Sequence, residues 1–160
     1  LTYGQEVEHS VREIMEKDTT RTLSKALEKI HMSEEADQFI EKHSQSDFAY
    51  FYEYLNWIIA KKELTTAEVI TRSGVNKNYV YNILNGDKKK PGRDKILALC
   101  IGARMSYSET QRALEIGNVA PLYPKDERDV RIAVGINSGA GDVMKINLIL
   151  DEYGLEPINV

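Results

Sequence analysis

Several residue types that mark particular protein classes are scarce in this chain. Its 160 residues contain one cysteine and three histidines, so an internal disulfide cannot form and no metal site built from histidine and cysteine is expected. No apolar run approaches the roughly 20 residues that cross a bilayer, and no basic start followed by an apolar segment indicates a signal peptide. These absences favour a protein of the reducing cytoplasm without metal or cofactor.

The chain does contain enough apolar sequence for a core. Of its residues 42% are hydrophobic and 29% are charged, which excludes the disordered and collagen-like classes. Apolar residues recur every three or four positions, for example from Phe48 through Ile59, and this is the period of amphipathic helices. No alternation of period two runs beyond a few positions. The sequence therefore predicts an all-α protein.

Short polar residues predict where these helices begin. Thr65 with Glu68, and Ser106 with Glu109, have the spacing of the capping box, in which a hydroxyl and a carboxylate accept each other's free backbone N–H groups. Glycines at positions 74, 117 and 154 are typical of helix ends. Further helix N-caps are predicted at Asp47, Asn76 and Asp142.

Two of the predicted helices, residues 66–73 and 77–85, are separated only by Gly74, Val75 and Asn76. Two helices joined by a three-residue turn with an early glycine are the signature of a helix-turn-helix. The second helix has one polar side, whose side chains are of the kinds that read the edges of bases in the major groove. These candidate base-reading residues are Lys77, Asn78, Tyr81 and Asn82.

Positive charge is concentrated next to this helix pair. The chain as a whole carries a net charge of −4, but residues 72–95 contain 7 basic and 2 acidic residues. The field at a surface depends mainly on charges within about 10 Å, so an acidic protein with such a patch can still bind a phosphate backbone. The candidate phosphate contacts in this window are Asn85, Lys88, Lys89, Lys90 and Arg93.

The segment from Leu64 to Gly86, together with the basic loop, Pro91 and the helix that follows, resembles the Cro and phage-repressor type of helix-turn-helix, also called the xenobiotic-response-element type. The resemblance covers roughly Phe51 to Met105. It implies that helix 77–85 enters the major groove of double-stranded DNA and that a homodimer binds a half-palindromic site. It also implies a phosphate contact at Thr66, where the family often has glutamine.

These observations divide the chain into an acidic helical N-terminal arm (1–46), a helix-turn-helix DNA-binding domain (47–105) and a C-terminal helical extension (106–160). The expected function is that of a sequence-specific transcriptional regulator. The alternative is a helical adaptor for protein partners, because residues 1–53 hold 12 acidic and 6 basic residues. Such an arm can bind a basic partner or mask the basic DNA-binding face.

Other features of the sequence have simpler interpretations. Cys100 lies among apolar neighbours and is expected to be buried and inert. The glycines between 135 and 141 favour a helix–helix turn over a phosphate cradle, because no strand precedes them. No nucleophile with a base, no carboxylate pair and no cofactor fingerprint indicates an enzyme. Apolar positions of the last two helices either complete the core or form a dimer interface; they are Val130, Ala133, Val134, Val143, Ile146 and Leu150.

Overall fold

The computed structural model of the protein describes residues 20–29, 32–37 and 48–160. Within them every regular element is a helix, as predicted. A short helical stretch at 33–37 accompanies the longer ones. The longer helices are α1 (Thr20–Leu27), α2 (Phe51–Lys61), α3 (Thr66–Ser73), α4 (Lys77–Leu84), α5 (Arg93–Gly102), α6 (Tyr107–Ile116), α7 (Glu127–Asn137) and α8 (Val143–Glu152).

The capping residues act as predicted at most helix starts. Thr65 Oγ1 accepts from the Glu68 N–H at 3.1 Å, and a Glu68 carboxylate oxygen accepts from the Thr65 N–H at 3.0 Å. This hydrogen bond from the backbone lowers the pKa of Glu68. The same reciprocal pair joins Ser106 and Glu109 at the start of α6. Asn76 and Asp142 accept from the first free N–H groups of α4 and α8.

Helix α2 begins later than the sequence pattern predicts. Its first residue is Phe51, because Glu53 accepts a hydrogen bond from the N–H of Tyr50 at 3.0 Å and so completes the first turn there. The predicted N-cap, Asp47, lies outside the described residues, as does a weak helix predicted over residues 5–17. Phe48 precedes the helix, yet its ring packs edge-on against that of Tyr54 at 5.4 Å.

Contacts divide the chain into two compact units, Leu1–Asp47 and Phe48–Val160. In the described part of the first unit, Leu27 and Met32 are more than half exposed. In the second unit, α6 packs on α2 and α5, and α8 packs on α3, α5 and α7. The stretch 106–160 therefore shares one core with α2, α3 and α5.

Four of the apolar residues singled out from the sequence lie inside this core. Cys100 is fully buried, and its burial raises the pKa of the thiol above its ordinary value, so the thiol stays protonated and inert. The apolar positions Val143, Ile146 and Leu150 of α8 are buried as well, whereas Val134 on α7 is 57% exposed.

Across the described residues, no helix is both long and apolar enough to pass through a bilayer, and no group of histidine, cysteine and carboxylate side chains could hold a metal ion.

Candidate nucleic-acid interface

Helices α3 and α4 form the two arms of the turn that the sequence predicts. Gly74 adopts a φ of +69°, a left-handed conformation in which a side chain would be strained, and ends α3. Two residues later Asn76 begins α4 with hydrogen bonds to the N–H groups of Asn78 and Tyr79. The inward side chains of this helix pair are almost fully buried: Val69, Val75, Val80 and Ile83.

The opposite face of α4 is open to solvent. All four candidate base-reading residues (Lys77, Asn78, Tyr81 and Asn82) are exposed. The ring of Tyr81 is 45% exposed, and the Lys77 ammonium lies 6.0 Å from its centroid. This face therefore presents hydrogen-bond donors, acceptors and one aromatic ring on a single short helix.

The loop that follows α4 is held against it by backbone and side-chain hydrogen bonds. Asn85 accepts from the N–H of Asp87 at 3.0 Å, and the N–H of Lys88 returns to the carbonyl oxygen of Asn82 at 2.9 Å. On the other side of the helix end, Asn56 of α2 donates to the Leu84 carbonyl at 2.9 Å. These hydrogen bonds fix the path of the loop that carries Lys88, Lys89 and Lys90 as it leaves the end of α4.

Aromatic rings position two of the three loop lysines. The Lys88 ammonium lies 4.6 Å from the centroid of Tyr79, and that of Lys89 lies 5.3 Å from the centroid of Tyr50. Both distances are within the range of attraction between a cation and a ring face. The ring of Tyr50 is stacked on that of Tyr52 at 5.9 Å. Sequence reasoning missed Tyr50 and Tyr52, because the aromatic residues at the start of α2 are typical of core.

Glycine is required where the loop passes these rings. A Cβ on Gly86 would lie 3.1 Å from the Cζ atom of Tyr52, and the residue has a φ of +84°. The positive φ and the close approach to the ring therefore both disfavour a side chain at this position. The ring of Tyr52 thereby packs against the loop at Gly86, and the three lysines of the loop are exposed.

Arg93 differs from the other predicted phosphate contacts. Its guanidinium binds both carboxylate oxygens of Asp129, at 3.1 and 2.9 Å, and also donates to the carbonyl oxygens of Ala120 and Pro121. Asp129 is only 6% exposed. A guanidinium held in this way links α5 to α7 with four of its five N–H donors, so the fold itself engages most of the hydrogen-bonding capacity of Arg93.

The remaining predicted phosphate contacts stay accessible. Thr66 is half-buried at the first position of α3, and Asn85 is exposed. In the described part of the chain, no carboxylate forms an ion pair with the ammonium groups flanking the exposed face of α4. Those ammonium groups belong to Lys77, Lys88, Lys89 and Lys90, and all are exposed.

Comparisons with known protein families, with curated proteins and with solved structures gave no match. The candidate interface is therefore characterised by its own geometry: a short helix with exposed hydrogen-bonding side chains and, beside it, cations that form no ion pair with a carboxylate of residues 20–29, 32–37 or 48–160.

Proposed function

We propose that this protein is a sequence-specific DNA-binding regulator of transcription and that α4 is its recognition helix. The observation that carries the proposal is the exposed polar face of α4, bordered by ammonium groups that form no ion pair with a carboxylate among the described residues. An α-helix fits the major groove, where each base pair presents a distinct pattern of donors and acceptors. Cations at the edge of such a helix then meet the phosphates on either side.

The side chains of the proposed interface, on α4 and beside it, have two roles. Asn78 and Asn82 each offer the amide geometry that pairs with adenine, and Lys77 donates to guanine acceptors. Tyr81 presents its ring edge to a thymine methyl group. The phosphate contacts are Thr66, Asn85, Lys88, Lys89 and Lys90, which position the helix without reading sequence.

The test compares one residue of each role. Lys89→Gln should weaken binding to all duplexes alike and reduce the slope of log affinity against log salt by about 1, because one fewer phosphate is neutralised. Asn82→Ala should leave the slope unchanged and remove roughly 1–3 kcal/mol of discrimination at one base pair. Both are measured by fluorescence anisotropy at several salt concentrations, on an operator selected from random duplexes. The control variant is Lys145→Gln, which removes the same charge from an exposed position on α8.

Unchanged affinity and slope in both Lys89→Gln and Asn82→Ala would refute the assignment of α4 and its loop. An equal effect of Lys145→Gln would show that net charge, rather than this face, governs binding.

We further propose that the protein acts as a homodimer, because one recognition helix of eight residues spans only a half-site and two copies read sites one helical turn apart, about 34 Å. The surface favoured for pairing is the outer side of α8. Met144 and Leu148 are 75% and 65% exposed there, and they line an open groove of about 740 Å³ that reaches Thr71 and Gly74 at the end of α3. Exposed apolar side chains beside a groove are typical of association sites.

Leu148→Asp should convert the dimer to monomers without loss of folding stability, since the side chain is already in water in the isolated chain. Sedimentation velocity measures the association state. Val134→Asp places the same charge on the exposed apolar side of α7 and should leave the dimer intact. A wild-type chain that sediments as a monomer at its solubility limit, or equal effects of the two variants, would remove α8 as the interface.

The adaptor function is the second candidate, and the exposed Leu27 and Met32 in the first unit favour it. Exposed apolar side chains on an acidic segment are suited to a basic protein partner. Deleting residues 1–45 separates the two functions. Tighter DNA binding after the deletion would indicate that the arm masks the basic face, whereas unchanged DNA binding would indicate an independent role.

A further inference from the structure

A second site lies away from α4, between the end of α5 and the turn that joins α7 to α8. It is a partly open cavity of about 270 Å³. Four apolar side chains form its floor, and three of them are at most 3% exposed, so the cavity extends into the core. The floor residues are Ile101, Met105, Ile136 and Ile146. An apolar cavity of about 150 Å³ already holds benzene, so this one has room for a branched or cyclic hydrocarbon group.

The rim of the cavity carries one charged side chain, Arg104. Its guanidinium lies 4.0 Å from the place that a Cβ on Gly141 would occupy. Gly139 and Gly141 line the same rim, so no side chain stands between the guanidinium and the opening. The Arg104 side chain makes no hydrogen bond or ion pair with any described residue. Its five donors are therefore free at the mouth of an apolar space.

A second guanidinium and a carboxylate lie near Arg104. Burial and then the nearby positive charge of Arg104 lower the pKa of Arg72. The hydrogen bond from the Thr65 N–H that begins α3 lowers the pKa of Glu68, and both guanidinium groups lower it further. A ligand carboxylate at the cavity mouth would give Arg104 a hydrogen-bonding partner of its own.

We propose that this cavity binds a small carboxylic acid with an apolar body, whose hydrocarbon part fills the space between Ile101 and Ile146 and whose carboxylate is held by Arg104. A guanidinium matches a carboxylate with two parallel hydrogen bonds, and the isoleucine and methionine side chains of the floor pack against the hydrocarbon part. This site does not depend on the proposed DNA-binding function.

The test uses cyclohexanecarboxylate and its uncharged amide, cyclohexanecarboxamide, with the full chain labelled at isoleucine methyl groups. In methyl NMR spectra the acid should shift the signals of Ile101, Ile136 and Ile146 in a saturable way, while the signal of Ile83, on the buried side of α4, stays unmoved. The amide should bind at least tenfold more weakly, because it lacks the charge that pairs with Arg104. This comparison needs no variant, so folding defects cannot disguise its result.

Variants then identify the group that recognises the carboxylate. Arg104→Gln should weaken binding of the acid at least tenfold. Arg104→Lys keeps the charge and loses the planar fork, so its affinity for the acid should lie between those of Arg104→Gln and the wild type. Lys145→Gln removes an exposed charge outside the cavity and should change binding less than twofold. Absence of saturable shifts, equal binding of acid and amide, or full affinity in Arg104→Gln would each overturn the proposal.

Discussion

Replacing Asp129 by alanine is expected to lower the free energy of unfolding by about 3–5 kcal/mol, the cost of removing one partner from a buried ion pair. Its carboxylate accepts two hydrogen bonds from Arg93 and one from the N–H of Tyr123 at 2.9 Å. The substitution leaves the Arg93 guanidinium with no carboxylate in a partly buried place, together with an unpaired backbone N–H. Urea denaturation followed by circular dichroism measures the change.

The matched control is Glu127→Ala, on the exposed side of the same helix. Its free energy of unfolding should stay within about 0.5 kcal/mol of that of the wild type. A double variant, Arg93→Met with Asp129→Leu, should be more stable than Asp129→Ala alone, since it removes both charges and leaves neither unpaired. If Asp129→Ala were as stable as the control, the pair would not join α5 to α7 in solution.

The second large effect concerns the basic loop. Replacing Lys88, Lys89 and Lys90 together by glutamine should reduce the slope of log affinity against log salt by about 2–3, since each contact with duplex DNA contributes roughly 0.9. The affinity at about 50 mM salt should fall at least a hundredfold. The three side chains are exposed, so the melting temperature should barely change. Anisotropy on one duplex at several salt concentrations measures both quantities.

A control variant with Lys125→Gln and Lys145→Gln removes exposed charges from other parts of the chain. Its slope should fall far less per lysine than that of the loop variant. An equal fall in the slope per lysine in both variants would mean that the loop lysines contact DNA no more than the other exposed lysines do. An unchanged slope in the loop variant would mean that the phosphates are bound elsewhere.

Much of the fold was predictable because helix caps act over three or four residues. Thr65 and Ser106 find their partners at the next turn of the same helix, so the pattern is complete within a short window of sequence. The exposed side of α4 follows for the same reason: once the helix is fixed at Asn76, the period alone decides that Tyr81 points outward and Val80 inward.

Long-range contacts were the part that no local pattern revealed. Arg93 lies in the basic window and reads as a phosphate contact, yet its partner, Asp129, is 36 positions away. The sequence places the start of α2 too early because the period of apolar residues reports which side chains face the core, and the Phe48 ring packs on Tyr54 from outside the helix. The cavity beside Arg104 depends on a turn 35 or more residues later and has no signature in sequence.

The arginine–aspartate pairs at the starts of α5 and α7 have a consequence for how these positions can change. Helix α5 begins with Arg93 and Asp94 and is joined to Asp129 and Arg128, in the reverse order, near the start of α7. Inverting one of the four charges would set like charges opposite each other, so a single inversion is repelled rather than merely less favourable. Inverting both charges on one helix would have the same result, whereas inverting all four would restore the match. These four positions are therefore free to change their charge only in concert.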